Sequence, residues 1–268
     1  MVVRPTVIRH AGRVSADEYR KHQPGVHPDF FMAEAAGLRW LAAAGAPVVR
    51  VLDVGADHIT LARVPTSAPG KAAARDFGSA LARMHDAGAD QFGSGPPDFD
   101  GQMFIGRRPM PSDPTATWGA FYARQRVLPF LDDAVSAGNL GAADESDTRA
   151  ACEVIASGAF DDGERAARIH GDLWNGNVMW TSKGVVMIDP AAHGGHRETD
   201  LAMLALFGCP ELGSVIEGYQ DTHPLEPGWY ERIALHQLHP LAVHAAGHGP
   251  HYGVELGRAA RRTLELAR

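Results

Sequence analysis

Three polar residues in the second half of the chain have the types and spacing that phosphoryl transfer requires. Asp172 and Asn177 lie five positions apart in the segment IHGDLWNGNVMW, and Asp189 ends the apolar run VVMID twelve positions later. In kinases one Asp accepts the proton of the attacking hydroxyl, while an Asn and a second Asp hold Mg²⁺ on the nucleotide phosphates. The pattern therefore predicts a catalytic base at Asp172 and metal ligands at Asn177 and Asp189. The alternative is a glycine turn with unrelated polar residues.

The segment HGDLWNGN resembles the catalytic loop of the fructosamine/ketosamine-3-kinase family, a branch of the aminoglycoside-phosphotransferase and protein-kinase-like fold. The Trp that follows Asp-Leu is typical of that branch. Further segments are similar to family segments in the same order: FFMAEAAGLRWL, MFIGRRPMP, FYARQRVLP, AAHGGHRETDLAMLALFG and LHQLHPLAVHAAGHGPHYG. The resemblance extends over residues 17–268, approximately. It implies a two-lobed kinase fold and ATP- and Mg²⁺-dependent phosphorylation of a sugar hydroxyl on a ketosamine, either a small molecule or a glycated amine.

The resemblance also implies a nucleotide site in the first part of the chain. Lys21 matches the lysine that contacts the phosphates, and Glu34 matches the helix glutamate that pairs with it. A lysine held by a carboxylate can direct its ammonium at the phosphate charge. The alternatives are a solvated surface lysine and an exposed helix residue. By analogy with the fold, the adenine is expected to contact backbone groups of Ala62 and Val64 and the side chains of Met179 and Ile188.

The acceptor site is expected beyond the catalytic loop. Trp174 follows Asp172 closely, and its ring could stack on the apolar face of a sugar, although a core Trp is the alternative. His196 and Arg197 lie in a Gly-rich loop, where Arg197 could hold a substrate carboxylate or instead pair with Asp200. Five C-terminal histidines raise a metal-site interpretation, but glycines interrupt their spacing and no carboxylate or Cys lies among them. They are His236, His239, His244, His248 and His251.

The surrounding pattern predicts the elements that must position these residues. Residues 1–65 read as strand, helix and a two-stranded hairpin, and residues 66–268 as mostly helical with one hairpin around residues 177–190. The expected fold class is α+β: a small N-terminal lobe with an antiparallel sheet and one helix, and a larger helical lobe. Twenty residues before Lys21, without a G-x-G-x-x-G, predict a shortened phosphate-covering hairpin and weak ATP binding.

Composition restricts the remaining function classes. The 25 Lys and Arg against 32 Asp and Glu give a net charge of −7, which predicts neither nucleic-acid nor membrane binding. Two Cys, no signal-peptide pattern and no long apolar run predict a cytoplasmic protein, and we expect a monomer. Two alternatives to the ketosamine kinase stay open. One is an aminoglycoside-type phosphotransferase, and the other is a kinase-like binding module that has lost most of its activity.

Overall fold

A three-stranded antiparallel sheet and one helix form the first part of the structure, a computed structural model that describes residues 15–268. The strands are β1 (Glu18–His22), β2 (Val51–Gly55) and β3 (His58–Ala62), in the order β1-β3-β2, and the helix is α1 (Asp29–Ala43). Lys21 pairs in register with Ile59 on β3. The strand expected within residues 1–10 lies outside the described residues.

An apolar core joins α1 to this sheet. Phe31, Ala35 and Leu38 follow helical spacing on one face of α1 and are buried against Ile59 and Leu61 of β3. This packing fixes the rotation of the helix about its axis. Glu34 is thereby held toward β1, which carries Lys21.

Helices make up most of the rest of the chain, as the sequence predicted. They are α2 (Lys71–Asp86), α3 (Trp118–Phe121), α4 (Leu128–Ser136), α5 (Ala142–Ala156), α6 (Arg197–Leu206), α7 (Leu212–Thr222), α8 (Trp229–His236), α9 (Leu238–His248) and α10 (Pro250–Leu266). A π-helical turn, Tyr122–Val127, joins α3 to α4. α2 and α7 approach closely at Gly78, where a Cβ would lie 1.9 Å from the Val215 carbonyl oxygen. Glycine at this position therefore permits the contact. No helix within residues 15–268 has the length and apolar character to cross a membrane.

Three short two-stranded sheets complete the described chain. The predicted hairpin is present as β7 (Val178–Thr181) and β8 (Gly184–Met187). A second hairpin, β4 (Met103–Ile105) and β5 (Arg108–Met110), lies in a stretch that the sequence indicated to be irregular. The pairing of β6 (Ala167–Ile169) with β9 (His193–Gly195) was not predicted either. Because β6 leads into Asp172 and β9 follows Asp189, this pairing holds the two predicted catalytic segments side by side.

The segment between the two predicted lobes has no regular structure. Residues 63–70 connect β3 to α2 without helix or strand. This agrees with a linker near residue 65, and the division into lobes at 1–65 and 66–268 stays a prediction.

Candidate active site

A buried carboxylate on α6 holds the backbone of the catalytic loop. Asp200 accepts the N–H groups of His170 at 2.8 Å and Gly171 at 3.0 Å, and His85 contacts the same carboxylate at 3.1 Å. Gly171 has φ +79°, and a Cβ there would lie 2.3 Å from the Ala191 carbonyl oxygen. Only glycine therefore fits this turn. Asp200 is a buried anchor, and it orients the loop that carries Asp172.

A histidine braces the same loop from the other side. The N–H of Asp172 donates to Nδ1 of His170 at 3.2 Å, so the ring proton is on Nε2, which donates to the Ile188 carbonyl at 3.0 Å. Burial lowers the pKa of His170 and keeps the ring neutral. His170 thus ties the residue of the predicted base to the strand end that precedes Asp189.

The three residues predicted to carry the chemistry meet at one point. Nδ2 of Asn177 donates to the Asp172 carbonyl at 2.8 Å and to the Asp172 carboxylate at 3.2 Å. Asp189 follows β8 with φ +55°, a left-handed conformation that turns its side chain out of the strand direction. Burial, and then the charge of Asp189, holds the pKa of Asp172 well above its usual range. The arrangement gives Asp172 an increased affinity for a proton.

Lys21 lies between two carboxylates. Its ammonium donates to Glu34 at 2.7 Å and also to Asp189. Burial disfavours the charged ammonium, but the charges of Glu34 and Asp189 outweigh burial and hold the pKa of Lys21 above its usual range. Burial raises the pKa of Glu34 to about 7, although Lys21 opposes the change. Glu34 and Asp189 thus share one ammonium group.

These residues line one pocket of about 370 Å³. The sequence analysis did not predict several residues that line it, namely Tyr19, Gln23, Phe30, Phe104 and Arg107. Arg107 occupies the turn between β4 and β5 and donates to the side chain of Gln23 at 3.1 Å. The two adjacent arginines in the segment IGRRP are the signal that could have indicated a cation here. Arg107 is therefore a second cationic side chain in the lining of the pocket, in addition to Lys21.

Trp174 lines the pocket and is not a core residue. It is 36% exposed, and its indole lies over Gly176, where a Cβ would be 2.2 Å from the ring. Its edge contacts Phe207, with 6.0 Å between ring centroids. The ring is therefore fixed by neighbours and still available to a ligand.

His196 and Arg197 are not at this pocket, which corrects the substrate role predicted for them. Both are buried, with 4% and 6% of their surface exposed. Arg197 donates to Glu164 at 2.6 Å and to Asp86 at 3.1 Å, so its partners are not Asp200 either. Their polar groups are used inside the protein to fix the start of α6.

One histidine of the C-terminal group joins a cluster that could hold a metal ion among the described residues: His196, Glu198 and His236. Hydrogen bonds already occupy its polar atoms. Nδ1 of His196 accepts the N–H of Glu198 at 3.2 Å, the Glu198 carboxylate accepts from Arg232 at 2.9 Å, and Nδ1 of His236 meets Thr199 at 3.0 Å. The set is a structural network around the start of α6.

The four residues predicted to surround the adenine lie beside the sheet of the first part. Val64 and Ile188 pack against the same apolar core, Met179 pairs with Val186 across β7 and β8, and Ala62 ends β3. None of the four lines the pocket of Lys21 and Asp172. Their contact with a nucleotide stays a prediction.

Residues 11–265 match the family model described as fructosamine kinase. The chain belongs to the fructosamine kinase family. A probable ketoamine kinase of Enterococcus faecium is 30% identical over 249 residues, which are 89% of this chain and 84% of that protein. The crystal structure of a putative fructosamine-3-kinase from Thermobifida fusca is 44% identical, with a TM-score of 0.87, over 92% of this chain and 85% of that one.

A more distant structure identifies the fold of this fructosamine kinase family member. A choline/ethanolamine kinase family protein from Mesorhizobium loti is 15% identical, with a TM-score of 0.60, over 94% of this chain and 87% of that one. At this identity the likeness concerns the fold alone. The predicted α+β, protein-kinase-like fold is confirmed, and family membership makes the protein a phosphotransferase with an alcohol group as its acceptor.

Proposed function

We propose that the protein transfers the γ-phosphoryl group of ATP to a sugar hydroxyl of a ketosamine, with Asp172 as the base. One observation carries the proposal: Lys21, Asp172 and Asp189 line a single pocket together with Asn177. A phosphate-binding cation, a proton acceptor and two oxygen ligands are the set that phosphoryl transfer to a hydroxyl requires. The match to fructosamine kinases supports the ketosamine as the acceptor.

Asp172 acts on the attacking hydroxyl. As the oxygen of the acceptor attacks phosphorus, its proton passes to the Asp172 carboxylate, and the bond to the leaving ADP breaks. The raised pKa of Asp172 makes this carboxylate a better proton acceptor than an exposed Asp. Asn177 donates to the same carboxylate and fixes its orientation toward the acceptor.

Lys21 binds the phosphates in this proposal. Its ammonium bridges Glu34 and Asp189, and ATP would compete with Asp189 for it. Glu34, 12% exposed, keeps the lysine in place when Asp189 is released. Arg107 lines the same pocket and is a second cation there.

The donor set at this point fits Mg²⁺. Carboxylate and amide oxygens are the ligands that Mg²⁺ prefers, and it is commonly held by one or two side chains together with phosphates. Asn177 uses Nδ2 for Asp172, which leaves Oδ1 for the ion, and Asp189 contributes a carboxylate that is 43% exposed. When bound, the ion neutralises phosphate charge during transfer.

The acceptor enters beside Trp174. Its exposed indole stacks on the sugar or its substituent, and the neighbouring base receives the hydroxyl proton. We further propose a monomeric, cytoplasmic enzyme with a small-molecule or glycated-amine acceptor.

An ATP-consumption screen tests the function. Purified protein with Mg²⁺ is offered ketosamines, the corresponding free sugars and aminoglycosides. We expect turnover with ketosamines and little with the other two classes. Turnover with aminoglycosides alone would show that the acceptor class is wrong. Thermal shift with ATP and Mg²⁺ but turnover of none of the three classes would favour the binding module.

A further inference from the structure

A continuous row of rings leads away from the pocket at Trp174. The ring strip, as we name it, consists of Trp174, Phe207, His244, His248 and Tyr252. The ring centroids of Trp174 and Phe207 lie 6.0 Å apart, and those of Phe207 and His244 lie 4.7 Å apart. His244 then contacts both His248, at 5.1 Å, and Tyr252, at 5.0 Å. These are the separations of aromatic side chains in contact. Because Trp174 belongs to both, the strip extends the pocket.

Three helix ends bring the strip together. Phe207 caps the C-terminus of α6, His244 and His248 lie one turn apart near the end of α9, and Tyr252 is in the first turn of α10. Gly249, with φ +105°, makes the sharp turn between the last two helices. Phe207, His244 and Tyr252 are partly buried and His248 is exposed. The rings therefore support one another and still present a surface.

The central histidine of the strip is a neutral ring. Nδ1 of His244 lies 2.7 Å from the Pro240 carbonyl oxygen, so Nδ1 carries a proton and donates it to that oxygen. Burial lowers the pKa of His244, which agrees with a neutral imidazole. Neither a carboxylate nor a guanidinium belongs to the strip. A flat aromatic group of a ligand can stack on such a surface.

We propose that the ring strip binds the N-substituent of the ketosamine and selects acceptors whose amine carries an aromatic group. The inference rests on the proposed function. In a ketosamine the nitrogen is bonded to C1 of the sugar, so the N-substituent is only a few bonds from the hydroxyl that reacts at Asp172. A substituent at that distance can reach Trp174. The strip starts at that residue, and its rings stack on an aromatic substituent that reaches Phe207 and His244. Phe207 and His244 are thereby specificity-determining residues.

Two acceptors that differ only in the N-substituent test the proposal. They are the N-benzyl and N-methyl derivatives of 1-amino-1-deoxyfructose, and kcat/KM is measured for both with the parent protein. We expect the benzyl acceptor to be preferred by about tenfold, the effect of one well-placed aromatic contact. His244→Ala and Phe207→Ala should each remove most of this preference and leave the KM for ATP unchanged.

Matched variants separate specificity from folding. Tyr230 is 66% exposed on α8, and Tyr230→Ala removes an aromatic ring outside the strip. It should keep the benzyl preference, and Phe207→Tyr, which retains a ring, should keep it too. If Phe207→Ala does not fold, the benzyl preference of His244→Ala and of His248→Ala provides the test. His248 is exposed, so its substitution should leave the fold intact.

The outcomes distinguish the two proposals. If neither acceptor is phosphorylated, the proposed function is wrong and the strip proposal falls with it. If both are phosphorylated with equal kcat/KM, or if the His244 and Phe207 variants keep the benzyl preference, the function stands and the role of the strip is wrong.

Discussion

We predict that the carboxylate of Glu34, a residue of the candidate site, lowers the free energy of unfolding when it is ionised. Its ordinary pKa of 4.5 is raised to about 7 in the folded protein, chiefly by burial. Between these values the native protein keeps a proton that the unfolded chain has lost, so the free energy of unfolding decreases as pH rises through this window. Above about pH 7 both states are ionised and the whole penalty is present. Glu34→Gln resembles the protonated state and should remove this pH dependence.

The size of the effect follows from the difference between the two pKa values. At 1.36 kcal/mol for each unit of pKa difference, the free energy of unfolding decreases by about 3 kcal/mol across the window. The loss of a charge-assisted hydrogen bond to Lys21 reduces the gain at high pH. We therefore expect Glu34→Gln to match the parent near pH 5, and to be more stable than the parent by about 1–3 kcal/mol near pH 8.

Urea unfolding of the ligand-free protein at several pH values measures this difference. Glu217→Gln is the matched control, because Glu217 is 64% exposed and pairs with Arg75 on the surface. The control should follow the parent at every pH. A Glu34→Gln protein that is less stable than the parent at pH 8 would refute the reasoning and show a net stabilising Lys21–Glu34 pair. The same variant should have lower kinase activity, since Lys21 loses its anionic partner.

Four further predictions follow from the same geometry. Trp174→Ala should raise the acceptor KM about tenfold with little change in the KM for ATP or in Tm, as steady-state kinetics and thermal unfolding will show. Arg197→Ala should cost about 2–3 kcal/mol of stability in urea unfolding, because Asp86 and Glu164 lose their partner, and should leave the acceptor KM unchanged. In calorimetry, EDTA should abolish ATP binding and Lys21→Met should weaken it only partly. Asp200→Ala should lower both Tm and kcat, since two backbone N–H groups of the catalytic loop lose their acceptor.

Local spacing accounts for what the sequence predicted well at the site. Asp172 and Asn177 belong to one loop, and Asp189 ends the hairpin that follows it, so a short segment specifies their contact. Lys21 lies 168 positions from Asp189, and no local pattern could join them. The family resemblance supplied that assignment, and the structure brings the two side chains together.

Long-range partners explain the errors. His196 and Arg197 follow two glycines, which indicated a loop near the substrate, but Arg197 is buried and pairs with Asp86, 111 positions away. The strands β6 and β9 have three residues each, too few for an alternating pattern to be seen. Arg107 was missed because its place in the pocket depends on the β4–β5 hairpin, which the Gly- and Pro-rich composition concealed. The shortened hairpin expected before Lys21 falls partly on residues 1–14, outside the described residues.

The rate of phosphoryl transfer by Asp172→Asn tests the central claim most directly. The ketosamine that the parent turns over best is used, and Asp133→Asn, a surface carboxylate paired with Arg108, is the matched control. We predict that kcat decreases by about 10²–10⁴-fold, as expected for the loss of a general base, while ATP affinity stays close to that of the parent. Tm should not be lowered, because burial holds the pKa of Asp172 above its usual range and the uncharged Asn avoids that penalty. The control should keep the parent rate. Turnover by Asp172→Asn at the rate of the parent would contradict the account.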